Sequence, residues 1–148
     1  MRILVIHGPN LNMLGKRNKK HYGACSLDDI NGMLSQTAKK NLVSLLVFQS
    51  NHEGELINFL QKNAQKASGI LINPGALTHY SYSLRDALED TNLPTVEVHL
   101  SDISKREPFR EIDVLDGIVI EKIVGLKEKS YIVGLENLIN YIRRKRSL

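Results

Sequence analysis

Short apolar runs recur along this chain, and stretches with helical spacing separate most of them. The runs are Arg2–Ile6, Val43–Phe48, Gly69–Asn73, Thr95–His99 and, less sharply, Ile118–Val124. Brief, nearly continuous apolar runs fit strands covered on both faces. Between them, Leu27, Ile30, Leu34 and Ala38 recur at helical intervals behind Ser26, which forms a near capping box with Asp29. After Asn51, Glu53 and Glu55 suit the positive pole of a helix start, and Leu56, Ile57 and Leu60 supply its buried face. A shorter helix is expected over 81–90. The last runs from about Tyr131, with Ile132, Leu135, Leu138, Ile139 and Ile142 on one face. Such alternation builds parallel βαβ units, and right-handed crossovers make them an open, doubly wound sheet. The expectation is an α/β, flavodoxin-like fold: a five-stranded parallel sheet of order 2-1-3-4-5 with helices on both faces. No repeat, low-complexity tract or linker interrupts the 148 residues, so residues 1–148 read as one domain.

Composition narrows the setting. The lone Cys25 excludes an intrachain disulfide and makes a reducing compartment the default. No run approaches the ~20 apolar residues of a membrane span. The first apolar run is short and ends in Gly8-Pro9-Asn10, unlike a signal peptide. A cytoplasmic protein without a membrane partner is expected. The net charge of +4 gathers in the 16–20 loop and in Arg143-Arg144-Lys145-Arg146. The tail has no interleaved stacking aromatics and suits the negative pole of a helix, so no nucleic-acid partner is expected. The loop cluster suits a small anionic substrate.

In doubly wound sheets the ligand lies beyond the carboxyl ends of the strands. After the first strand come His7, Asn10 and a glycine-punctuated loop with Arg17 and Tyr22, flanked by Lys16, Lys19 and Lys20. Positive charge beside a phenol favours the phenolate, which makes Tyr22 a candidate base. Gln49, Ser50 and Asn51 follow the second strand; Asn73, Gly75, Thr78 and His79 follow the third. The fourth ends in Glu97 and His99, with Ser101, Arg106 and Arg110 beyond. Residues two apart in a strand share a face, so Glu97 can orient His99 as a general acid. Singly, each residue has an ordinary reading: Asn10 and Asn73 in turns, His79 as a cap, Asp86 and Arg110 solvated, Tyr22 packed, His99 closing the sheet edge. Their convergence on one edge is the stronger signal.

Other chemistries fail on spacing. Gly8 to Gly15-Lys16 is not a phosphate loop, because six residues separate the glycines and Arg17 stands where Ser or Thr should bind magnesium. Dinucleotide-binding and nucleophile-elbow motifs are absent. A phospho-receiver needs carboxylates where His7 and Asn73 stand. No histidine pair has metal-ligand spacing, so no metal is expected.

Several segments stand in order over about residues 1–110: Gly8-Pro9-Asn10-Leu11-Asn12-x-Leu14-Gly15-x-Arg17, Tyr22-Gly23, and Gln49-Ser50-Asn51-His52-Glu53-Gly54-Glu55-Leu56-Ile57. Then come Ile72-Asn73-Pro74-Gly75-Ala76-x-Thr78-His79, Leu84-Arg85-Asp86-Ala87, Glu97-Val98-His99-Leu100-Ser101 and Arg106-Glu107-x-Phe109-Arg110. In these segments the chain resembles the type II 3-dehydroquinate dehydratases, or type II dehydroquinases. The resemblance implies the flavodoxin-like fold and a hydro-lyase that removes water from 3-dehydroquinate in trans. The product is 3-dehydroshikimate, formed through an enolate in the shikimate pathway. It implies no metal or organic cofactor, and a homododecamer built as a tetramer of trimers.

Roles follow from the same resemblance. Tyr22 is the base, kept ionised by Arg17; Asn10 holds a water against the enolate. His99, oriented by Glu97, protonates the leaving hydroxyl. Asn73 and Leu100-Ser101 hold the substrate carboxylate, His79 and Arg110 bind ring hydroxyls, and Asp86 reaches in from a neighbouring subunit. The 16–24 loop is a lid. Beyond Arg110 the chain departs from the family pattern: Asp113 stands at an expected serine, and Glu121, Lys127 and Ser130 replace glycines. Tyr80 and Tyr82 are bulkier than usual near the expected trimer contact. These departures motivate the alternative reading, a non-catalytic flavodoxin-like binding or assembly module diverged from a dehydroquinase.

Overall fold

The computed structural model describes residues 1–148. In chain order the elements are β1 (Arg2–His7), α1 (Lys19–Tyr22), α2 (Leu27–Lys40), β2 (Ser44–Gln49), α3 (Glu53–Asn63), β3 (Gly69–Asn73), α4 (Tyr82–Asp90), β4 (Thr95–Val98), β5 (Glu121–Ile123) and α5 (Lys129–Arg146). All strands pair in parallel, as the alternation predicts, and their order β2-β1-β3-β4-β5 is the flavodoxin-like one expected. No helix is long and apolar enough to cross a membrane.

Successive strand residues point to opposite faces, and each face has its own core. Ile3, Val5, Leu71, Val96 and Val98 pack with Ile30 and Leu34 of α2 and with Tyr131, Leu135, Leu138 and Ile139 of α5. On the other face, Leu4, Ile6, Ile70 and Ile72 pack with Leu56 and Leu60 of α3 and with Leu84 and Leu88 of α4. The α2 start is local chemistry. Ser26 Oγ accepts from the Asp29 N–H at 3.0 Å, and Asp29 Oδ2 accepts from the Ser26 N–H at 3.0 Å.

Three details differ from the sequence reading. The fifth strand is only Glu121–Ile123. Ile118 and Val119 serve the α3/α4-side core from a turn, so their apolar character does not mark a strand. The loop after β1 contains the one-turn helix α1, capped by Asn18, whose side chain accepts from the Lys20 N–H. His7 does not face the strand-end edge. It is the last residue of β1 and is fully buried among α2 and α5.

His7 Nε2 lies 2.9 Å from Asn31 Oδ1, and Nδ1 lies 2.8 Å from the Tyr131 hydroxyl. An amide oxygen only accepts, so Nε2 carries the hydrogen and the Tyr131 hydroxyl donates to Nδ1. Burial lowers the His7 pKa to about 4, with the Asn31 contact opposing it. The ring is therefore neutral in the folded protein. Burial likewise pushes the Tyr131 hydroxyl well above the usual phenol range, against a hydrogen bond from Asn73.

The departures after Arg110 have local accommodations. Ser130 is buried, and its hydroxyl accepts from the Leu126 N–H. Lys127 takes a left-handed backbone (φ +52), a conformation that strains a residue with a side chain. Glu121 accepts from Asn137 of α5.

Two predictions follow from this packing. A Cβ at Gly134 of α5 would lie 2.7 Å from Val98 Cγ1 and 3.0 Å from Leu71 Cδ1. Gly134→Val therefore overpacks the sheet–α5 contact and should cost about 2 kcal/mol, read from the denaturation midpoint. The second concerns acid. Between pH 6.5 and about 4 the unfolded chain binds a proton at His7 that the folded chain refuses. Stability should fall as the pH drops through that window, by about 3 kcal/mol. The slope should be flatter in His7→Asn, measured by urea unfolding at stepped pH.

Candidate active site

An open cleft of about 600 Å³ lies beyond the carboxyl ends of β1, β3 and β4. Its floor depends on backbone contact between two loops. A Cβ at Gly8 would lie 2.3 Å from the Pro74 carbonyl oxygen, so only glycine lets the post-β1 and post-β3 turns touch. The Gly8 N–H donates to Asn73 O at 2.8 Å. Asn10 then adopts a left-handed conformation (φ 68), and its N–H donates to Asn51 Oδ1. Asparagine tolerates that backbone well. The turn leaves Asn10 exposed in the cleft.

The strand-end residues gather as their placement demands. Asn73 and His79 line the cleft from the β3 side, His99, Leu100 and Ser101 from the β4 side, and Arg17 and Tyr22 from the loop holding α1. Asn73 Oδ1 accepts from the Gly75 N–H at 3.1 Å. His79 Nδ1 donates to the Ile112 carbonyl at 2.6 Å, which leaves Nε2 as its other polar atom. Arg110 lines the cleft while its Nε donates to Glu107 at 2.6 Å.

The Tyr22 hydroxyl is the most strongly solicited atom in the cleft. Arg17 Nη2 donates to it at 3.0 Å, and the Arg17 guanidinium carbon lies 3.8 Å from the ring centre. Arg106 Nη1 donates to the same oxygen at 2.9 Å and approaches Ser101 Oγ at 3.5 Å. Two guanidinium donors thus converge on one phenol oxygen. Arg106 was not singled out for a role in the sequence. Its signals were its place after the fourth strand and in the segment Arg106-Glu107-x-Phe109-Arg110; its contact with Tyr22, spanning 84 positions, had none.

His99 forms the second centre. Its Nε2 lies 2.5 Å from Glu97 Oε1, so Nδ1 is the ring nitrogen left to the cleft. Glu97 is fully buried and does not line the cleft; it acts on the cleft only through His99. Thr78 Oγ1 lies 2.6 Å from the same Glu97 oxygen. Asp86, like His7, is not brought here. It sits exposed on α4, outside the cleft of its own chain. No group of three His, Cys, Asp or Glu side chains is arranged to hold a metal ion.

The cleft thus pairs a cation-held phenol with a carboxylate-held imidazole, a constellation suited to removing one proton and delivering another. Three arginines beside them suit an anionic ligand.

Comparison with known proteins agrees. A family model described as "Dehydroquinase class II" matches residues 1–139. A 3-dehydroquinate dehydratase of Halothermothrix orenii is 48% identical over 143 residues, covering 97% of each chain. Another, from Roseiflexus castenholzii, is 52% identical over 139 residues, covering 94% of this chain and 88% of that one. The crystal structure of a type II dehydroquinase from Butyrivibrio crossotus superposes with a TM-score of 0.90 at 42% identity, covering 93% of this chain and 97% of the other. With the sheet order, the cleft and these relatives in agreement, the chain belongs to the class II dehydroquinase family.

Proposed function

We propose that the chain is a 3-dehydroquinate dehydratase, eliminating water in trans from 3-dehydroquinate to give 3-dehydroshikimate in the shikimate pathway. One observation carries this reading: Tyr22 under two guanidiniums and His99 on Glu97 line the same cleft. The family membership agrees with it, and the non-catalytic alternative is not favoured.

The steps use this chain's own groups. Tyr22, as phenolate, takes a proton from the carbon beside the substrate ketone. The C–H pair becomes the enolate C=C bond, the carbonyl π pair moves onto the ketone oxygen, and a water held by Asn10 supports the enolate. As the enolate collapses, the C–O bond breaks and His99 protonates the departing hydroxyl. Tyr22 is left protonated and His99 deprotonated, and proton exchange with solvent resets both. Glu97 holds the imidazole in orientation. Asn73, with Leu100 and Ser101, receives the substrate carboxylate, while His79 and Arg110 receive ring hydroxyls. Arg17 and Arg106 stabilise the phenolate, and the loop carrying Arg17 and Tyr22 serves as a lid. No metal or organic cofactor takes part. The exposed position of Asp86 fits service at a neighbouring copy's cleft, within a homododecamer built as a tetramer of trimers. The same reading gives a single domain over 1–148 and a cytoplasmic location.

The conjugated product absorbs in the ultraviolet. Purified, chelator-treated protein should raise that absorbance with 3-dehydroquinate; a flat trace overturns the activity. Tyr22→Phe should lose turnover by roughly 1,000-fold while still binding substrate. Turnover near wild type would remove Tyr22 as base. Arg106→Leu should lower kcat by roughly 100-fold, as loss of one charge-stabilising donor does.

A further inference from the structure

Thr78 stands between two carboxylates. Its hydroxyl lies 2.6 Å from Glu97 Oε1 and 2.9 Å from Asp113 Oδ1. A hydroxyl has one hydrogen and donates to one acceptor at a time. Whichever carboxylate receives it, the other faces a lone pair. Neither carboxylate has water to turn to. Glu97 is fully buried with Oε2 unpartnered, and the Asp113 side chain is 2% exposed.

Asp113 is held from its far side. Its Oδ1 accepts from the Leu115 N–H at 2.8 Å and its Oδ2 from Lys122 Nζ at 2.8 Å. Lys122 also donates to Asp116 Oδ1 at 3.0 Å. Burial alone would raise the Asp113 carboxyl; the bonds from Lys122 and Leu115 lead those that outweigh it and hold the group below the usual carboxylate range. Asp113 is thus a full negative charge one hydroxyl away from the carboxylate that holds His99. The run His99–Glu97–Thr78–Asp113–Lys122 leads from the cleft to the edge strand β5.

We propose that Asp113 and Lys122 are positioning residues that set the proton affinity of His99 through Thr78 and Glu97. The proposal rests on the assignment of His99 as the general acid. Lys122 neutralises Asp113 and leaves the Thr78 hydrogen to Glu97. A Glu97 so bonded pulls less on the imidazolium. If Asp113 draws the hydrogen instead, Glu97 turns its full charge on His99. Coulomb's law gives the same signs, since charge on Asp113 favours protonated His99 and charge on Lys122 opposes it. The substitutions leave the other nearby titratable and charged residues, Tyr22 included, in place. They are Arg85 of α4, bonded to the Val114 and Asp116 carbonyls, His79 beside Thr78, Asp116, Glu121 of β5, and Arg17, Arg106 and Arg110 around the cleft.

The experiment is an NMR titration of the His99 imidazole in the full chain, assigned by loss of its signal in His99→Gln. Asp113→Asn should lower the midpoint by at least about half a pH unit, and Lys122→Met should raise it by a similar amount. The double variant should return near wild type. The alkaline limb of the kcat profile should move in the same directions. A midpoint unmoved in both variants, or moved the same way in both, overturns the proposal. If Asp113→Asn does not fold, Lys122→Met alone decides by its sign. The titration needs no turnover, so a folded but inactive wild type refutes the dehydratase reading while this proposal is still judged by the midpoints.

Discussion

Every strand of the sheet runs the same way, so every strand leaves at the same edge. Parallel ladders have to be covered on both faces, and the crossovers that supply α2 and α5 on one side and α3 and α4 on the other do so here. The interior is thereby spent on Val, Leu and Ile. Polar side chains are pushed to the ends of β1, β3 and β4, where the cleft forms. The position of the chemistry is a consequence of sheet direction before any one residue is considered.

Within the cleft, charge is distributed unevenly. Cations crowd the loop side, where Arg17 and Arg106 share one phenol oxygen. Anionic groups are withheld beneath the surface on the β4 side, where Glu97 is reached only through His99 and Thr78. No carboxylate lines the cleft itself: Glu97 lies beneath it, and the exposed Glu107 is engaged by Arg110. The groups that orient other groups lie one layer down, where water does not compete with them.

Local signals were readable in the sequence and long-range ones were not. The capping box of Ser26 and Asp29 spans three residues, and the helix begins where it says. The parallel sense of the strands followed from alternation, and their order from the flavodoxin-like arrangement that five such strands commonly take. Tyr22, Arg17, Glu97 and His99 were found because each pair lies close in sequence. Arg106 was named only as a neighbour, because nothing local links it to Tyr22. The Thr78–Asp113 contact was invisible for the same reason, as it joins positions 35 apart. His7 misled by its polarity: a histidine at a strand end suggests a site, but a hydroxyl on α5 and an amide on α2 satisfied it inside. The fifth strand misled by its apolarity, since Ile118 and Val119 are half-buried residues that pack on the core from a turn.

The contact between Gly8 and Pro74 gives the cleft two walls of unequal stiffness. Backbone meets backbone there, and Asn51 and Gln49 bind the same turn from β2's end. That wall, bearing Asn10 and Asn73, is braced by backbone contact and by side chains from a third strand end. The opposite wall is the largely exposed segment around α1, whose Tyr22 packs on the core and takes a bond from Arg106. Ligands of different bulk are therefore measured against a fixed template on one side, and all accommodation has to come from the other. Variation in ligand size should be tolerated in the loop's sequence and forbidden in the two turns that touch.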